Sequence, residues 1–145
     1  MPTVVYECLL PVPVERVWEF HASAEALYAL TPPNRVMRAL SDDLEVREGA
    51  EHVFAFRQFG IPMVWRARIE SVRPPNEFTD VALSSPFLEW RHRHEFLALP
   101  DGSTLLRDTL TYRPPLGALA DRLFVRRQLD ALFAFRHART REALA

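Results

Sequence analysis

Residues 88–113 read LEWRHRHEFLALPDGSTLLRDTLTYR, and they decide what kind of sheet this chain builds. From Glu89 to Phe96 every odd position is charged (Glu89, Arg91, Arg93, Glu95), and the even positions are Trp90, His92, His94 and Phe96. Strict alternation marks a strand with one wet face and one buried face. Pro100-Asp-Gly102 supplies a turn, and Ser103–Arg113 continues as a strand with Leu106, Asp108, Leu110 and Tyr112 at even positions. If even residues face inward on both strands, paired residues must sum to an even number. The sum 202 sets His94 across from Asp108 and Trp90 across from Tyr112; a slip to 200 sets His92 across from Asp108 instead. In either register an imidazole stands beside a carboxylate that is buried between leucines and needs a donor.

Outward from that hairpin, the preceding chain is also β. Leu88–Ala98 forms the first strand of the pair, and Glu51–Phe59 and Met63–Val72 alternate strongly on either side of Phe59-Gly-Ile-Pro62. A two-residue II′ corner with Gly60 at positive φ would set Phe56 across from Trp65. Phe78–Ser84 is a further strand whose inward face the pattern leaves unassigned. Arg35–Leu40 and Leu44–Arg47 are weaker segments, expected as one strand and an edge. Thr3–Leu10 is a first strand, and Pro13 opens a short amphipathic helix carrying Val14, Val17, Trp18 and His21. Ser23 is expected to cap a second short helix, with Glu25 in its first turn.

After Pro114-Pro115 the chain reads as helix, but its apolar residues change phase. Leu116, Leu119, Ala120 and Leu123 share one side, whereas Val125, Leu129, Leu132 and Arg136 lie nearly opposite. A straight helix cannot send both groups into one core, so a kink is expected near Asp121–Phe124, followed by a long helix.

Composition narrows the class. The 145 residues are 48% hydrophobic and 26% charged, which suits one globular domain over residues 1–145. A net charge of -1 argues against nucleic acid as a partner, because phosphate binding needs a cationic surface. All 18 basic residues are arginine, which fits a GC-rich bacterial genome better than special guanidinium chemistry. The single cysteine, Cys8, excludes an internal disulfide and is expected as a small buried thiol. With no secretory leader and no apolar run near the roughly 20 residues a bilayer span needs, a cytoplasmic protein without stable membrane insertion is expected, as monomer or homodimer.

The order strand, two short helices, five or six antiparallel strands and long helix is an α+β arrangement. Hairpin-joined strands bury only one sheet face, and the terminal helix must cover it. A curved sheet of six to seven strands wrapped around that helix leaves space between the two.

Several segments resemble one superfamily. Leu10-Pro-Val-Pro13, Val17-Trp-Glu-Phe-His21, Leu30-Thr-Pro-Pro33, Glu48-Gly49, Phe59-Gly-Ile-Pro62, Trp90-Arg-His-Arg-His94, Leu106-Arg-Asp108 and Leu123-Phe-Val-Arg-Arg127 are similar to SRPBCC (START-like) ligand-binding proteins. This is the helix-grip group of the polyketide cyclase/dehydrase proteins, and the likeness is greatest to its small bacterial stand-alone members. The resemblance implies a helix-grip fold, a hydrophobic or aromatic small molecule (lipid-like or polyketide-like) as partner, and no metal or other cofactor. The superfamily includes carriers, receptors and cyclases on one scaffold, so fold alone does not give function.

Four readings of the histidines compete. A satisfied His–Asp cluster could serve the core alone. A binding site could use Phe54, Phe56, Trp65, Trp90 and Leu132 for apolar contact, and His92, His94, Asp108 and Tyr112 for orientation. An enzyme could use His92 or His94 as a base held by Asp108, with Tyr112 as a phenol, for ring closure and water loss. A metal could sit on His-x-His and one carboxylate, but that spacing is short and unspecific. His21 and His52 are expected to find backbone partners, and the outer-face charges to pair across strands.

Overall fold

Antiparallel hairpins generate a seven-stranded sheet in the order β1-β7-β6-β5-β4-β3-β2. The strands are β1 (Thr3–Leu10), β2 (Met37–Ala39), β3 (Glu51–Gln58), β4 (Ile61–Arg73), β5 (Glu77–Ser84), β6 (Glu89–Ala98) and β7 (Thr104–Arg113). The computed structural model describes residues 2–22, 24–32, 37–41, 43–58 and 60–145, with Ala24, Glu25, Leu27 and Gln58 described by backbone only. Helices α1 (Val14–His21) and α2 (Ala24–Ala29) carry the chain from β1, at one sheet edge, towards β2 at the other. The expected Ser23 cap lies outside the described residues, as do the first two residues of the Arg35–Leu40 strand.

The central hairpin takes the 202 register: His94 pairs with Asp108 and Trp90 with Tyr112. Gly102 closes its turn at a φ of 88°, where an L side chain is disfavoured. Two expectations are corrected. The β3–β4 corner closes with Gln58 opposite Ile61, so Trp65 pairs with Phe54, and Phe56 with Met63. Face is preserved because the shift is two residues: Phe56 and Trp65 still lie near one another, with ring centroids 6.5 Å apart. Leu44–Arg47 is not a strand. There the Asp43 side chain accepts the Glu45 N–H at 2.9 Å, and the Glu45 carbonyl bonds His52 Nε2, so local bonds take the groups a ladder would use.

The phase change after Pro115 is resolved by a π-helical turn. Helix α3 (Gly117–Ala120) runs into the π turn Asp121–Val125 and then into α4 (Arg126–Ala143). That turn lets α4 direct Leu129, Leu132, Phe133, His137 and Thr140 onto the sheet. It leaves Leu116, Leu119, Leu123 and Phe124 exposed. Two tyrosines pin the helical segment: Tyr112 donates to Asp121 and Tyr6 to Asp130, each at 2.6 Å. Tyr6 also stacks on Phe133 at 4.5 Å.

The outer sheet face is a lattice of cross-strand ion pairs, including Arg91 with Glu70, Arg93 with Glu77, Arg107 with Glu7 and Arg113 with Glu89. The inner face divides into two apolar clusters. One joins Cys8, Leu10, Val17, Ile69, Phe78, Phe96, Leu106 and Leu144. The other joins Val4, Trp90, Leu110, Tyr112, Leu129 and Phe133.

Phe133 is 1% exposed, so Phe133→Ala should cost about 3–5 kcal/mol in urea unfolding through lost burial and the cavity left behind. Burial, then the acceptor carboxylate, pushes the Tyr6 and Tyr112 phenols above their ordinary 10.0. Groups held protonated in this way contribute stability that is complete below the unfolded pKa and lost as pH rises through the folded one. Between about pH 9 and about pH 12, wild type should therefore lose more stability than a Tyr6→Phe/Tyr112→Phe double variant; equal losses would count against the two pins.

Candidate functional site

Between the two apolar clusters runs a polar belt, and each of four elements contributes to it at the same level. On β6, His92 and His94 separate Trp90 from Phe96; on β7, Asp108 separates Leu110 from Leu106. On β5, Asp80 separates Phe78 from Ala82, and on α4, His137 separates Phe133 from Leu144. The alternation that puts aromatics inward therefore puts the imidazoles inward too.

Asp108 is the centre of the belt. Its Oδ1 accepts from His92 Nε2 at 2.8 Å and its Oδ2 from His137 Nε2 at 2.7 Å, so one carboxylate joins sheet to helix. His94, its partner across the ladder, lies only at ionic distance, with Nδ1 3.6 Å from Oδ1. His94 turns instead to β5, where its Nε2 donates to Asp80 Oδ2 at 2.7 Å. His92 offers its other nitrogen, Nδ1, to the same Asp80 oxygen at 3.9 Å. The two rings stack with centroids 3.6 Å apart, and Phe78 stacks on the far side of His94 at 4.0 Å. Each histidine thus presents one nitrogen to Asp80 and the other to Asp108.

Charge is concentrated here. Burial works to raise the Asp108 carboxyl, but hydrogen bonds from His137 and His92 and their neighbours' charge hold it well below the usual carboxylate range. Burial likewise opposes ionisation of Asp80, and the His94 bond with the charges of His94, His92 and Arg136 keeps it below 3.8. Burial and the adjacent His92 push His94 down from 6.5. His21 is pushed down to about 4, mainly by burial, and its Nδ1 bonds the Val17 carbonyl at 2.8 Å. It senses His94, Asp108 and His137 from α1.

The belt is not uniformly sealed. His92, Asp108 and His137 are buried. Asp80 and His94 keep 18% and 13% of their side-chain surface accessible.

Of the residues expected at a site, His92, His94 and Asp108 come together. Trp90 stands beside His92 with ring centroids 6.5 Å apart. Trp65 packs edge-on to Trp90 at 4.9 Å, and Phe54 and Phe56 lie half-buried on the adjoining strand. Leu132 is buried on α4. Tyr112 is a correction: its hydroxyl goes to Asp121 in the π turn, away from the histidines. His52 bonds the Glu45 carbonyl at 2.9 Å and, like His21, has the backbone partner expected of it. Two participants are additional. Asp80 sits where β-bulges between Arg66/Ala67 and Ile69/Ser71 break the β4–β5 parity, and Phe78 and Thr79 are both buried. His137 lies four residues after Phe133, the spacing of one helix face.

A family model described as polyketide cyclase/dehydrase and lipid transport matches residues 10–136. The chain belongs to that family. Its fold recurs in protein Ms6760 from Mycobacterium smegmatis (17% identity over 99% of this chain and 90% of that one, TM-score 0.76). It recurs in protein CV1439 from Chromobacterium violaceum (16% identity over 98% and 96%, TM-score 0.77). A nucleoside-diphosphate sugar epimerase from Corynebacterium glutamicum shares 27% identity over 96% of this chain but only 28% of its own, with a TM-score of 0.70. No curated protein matches the chain in sequence. Among the described residues no helix is long and apolar enough to cross a membrane.

Asp108→Asn should cost about 3–5 kcal/mol in urea unfolding, because an amide cannot accept from two imidazole N–H groups in the same geometry. His137→Gln, which keeps a donor, should cost clearly less; equal costs would mean that Asp108 is not shared in this way.

Proposed function

We propose that this protein binds a hydrophobic or aromatic small molecule, lipid-like or polyketide-like, between the curved sheet and α4. The observation that carries the reading is that Asp80 and His94, polar groups set between two apolar clusters on the inner face, keep 18% and 13% of their side-chain surface accessible. A close-packed core leaves few voids, and polar groups bordering a space flanked by aromatics suit a ligand of mainly apolar surface. Phe54, Phe56, Trp65, Trp90 and Leu132 supply the apolar contact. His94 and Asp80 orient the ligand, backed by His92 and Asp108. Tyr112 contributes its ring, its hydroxyl being held by Asp121.

The His94–Asp80 bond favours a second reading, in which the same site performs cyclase- or dehydratase-type chemistry. An imidazole fixed by a carboxylate, with its pKa lowered by burial, serves as a general base once its other nitrogen, here 3.6 Å from Asp108, turns to the ligand. His94→Gln separates the two: a binder keeps its ligand, whereas a base-dependent enzyme loses turnover by about 10²–10⁴-fold.

The test uses freshly purified protein, first in native mass spectrometry for a retained molecule and then with 1-aminoanthracene, a neutral apolar fluorophore. One equivalent should bind with energy transfer from Trp65 and Trp90, and Tm should rise with concentration, by about 2.7 kcal/mol of stabilisation at a hundredfold excess over Kd. Trp65→Ala should weaken both signals. No retained molecule, no uptake and an unchanged Tm would instead describe a filled interaction module and end the proposal.

A further inference from the structure

The polar belt has an asymmetry that ligand orientation does not explain. On the Asp80 side of the stacked imidazoles, three donor atoms converge from Asp80, His92 and His94, all within 4.8 Å of one another. On the opposite side, Asp108 grips His92 Nε2 and is itself gripped by His137 Nε2. We propose that Asp80 Oδ2, His92 Nδ1 and His94 Nε2 form a binding site for one divalent first-row transition ion of the zinc type, with Asp108 and His137 as its outer support.

Donor chemistry selects the class of ion. Two imidazoles and one carboxylate are borderline ligands suited to zinc, cobalt, nickel or iron, and too few hard oxygens for calcium or magnesium. Tetrahedral bonds of about 2.0–2.2 Å place neighbouring donors roughly 3.3–3.6 Å apart. Asp80 Oδ2 stands 2.7 Å from His94 Nε2 and 3.9 Å from His92 Nδ1, distances that bracket that spacing. The rings lie 27° from parallel, so closing on an ion requires them to splay further. His94, the more accessible of the two, is the ring placed to turn. To ligate through Nε2, neutral His94 carries its one proton on Nδ1 instead, the nitrogen 3.6 Å from Asp108 Oδ1, so the ring changes tautomer and stays neutral.

A metal-bound histidine commonly gives its second N–H to a carboxylate, which fixes the tautomer and makes the ligating nitrogen more basic. Asp108 is placed to do this for His92: Nε2 bonds Asp108 Oδ1 at 2.8 Å, and Nδ1, on the other side of the ring, lies 3.9 Å from Asp80 Oδ2. Asp80 and His94 keep part of their side-chain surface accessible, which is the route by which an ion or a further ligand would reach the site. His-x-His and one unspecified carboxylate form a short and unspecific pattern in the sequence; Asp80 supplies the converging third donor, with Asp108 on the support side. This inference goes beyond the binding reading and does not depend on it.

The test titrates full-length protein, stripped with EDTA and dialysed, with Co²⁺ alone. One equivalent should produce the visible bands of four- or five-coordinate cobalt, and one equivalent of Zn²⁺ should displace it. Asp80→Asn and His94→Gln should each weaken binding by about 100-fold or more, and His137→Gln by about 10–100-fold with the bands retained. His52→Gln, away from the belt, should bind as wild type does. Circular dichroism establishes that each variant is folded, and if Asp80→Asn does not fold, His94→Gln decides alone. Absence of a saturable cobalt spectrum, or binding that survives in His94→Gln, overturns the proposal. Uptake of 1-aminoanthracene, measured on the same samples, reports separately on the apolar ligand.

Discussion

One carboxylate holds sheet and helix together at the level where the interior turns polar. Asp108 accepts from His92 on the neighbouring strand and from His137 on α4, with bonds of 2.8 and 2.7 Å. A buried anion without donors would be costly, so the two imidazoles are what allow an aspartate to stand between Leu106 and Leu110. The arrangement also fixes where α4 lies along the sheet, because His137 has one acceptor to reach. Apolar packing brings the layers together over a broad area, and this bond selects one registration of them.

The other features are arranged around that fixed point. The two apolar clusters end on either side of the belt, and α4 needs the π turn to cross both while keeping His137 over Asp108. With His92 committed to Asp108, His94 is left to Asp80, and these two are the belt members that keep accessible surface. The chain's structural polar groups and its candidate functional ones are therefore neighbours. The first pair with Asp108 makes the interior stable; the second pair beside it is where a ligand or an ion would meet the protein.

Much of this was legible in the order of residues. Alternation in 89–96 turned the histidines inward, parity narrowed the register to the sums 202 and 200, of which the hairpin takes 202, and the phase change between Leu123 and Val125 marked the break in the last helix. What stayed hidden has physical causes. The hydrogen bond to Asp108 runs diagonally from His92, a neighbour that linear pairing ranks second, because twist makes diagonal partners reachable. Asp80 was hidden by bulges that break the two-residue period, and His137 by the charged run Arg136-His-Ala-Arg139 around it, which blurs the apolar stripe. Tyr112 has the right parity for the belt but lies two residue pairs along, where Asp121 is the nearer acceptor.

The claim on which the account rests is that Asp108 is clasped by imidazole N–H groups from two layers. Long-range proton–nitrogen correlation spectra of histidine-labelled protein read the tautomer of each ring directly. The account predicts that His92 and His137 both carry a slowly exchanging proton on Nε2, and that Asp108→Asn shifts both signals together. A proton on Nδ1 of either ring, or two rings that exchange rapidly between tautomers and ignore Asp108, would contradict it.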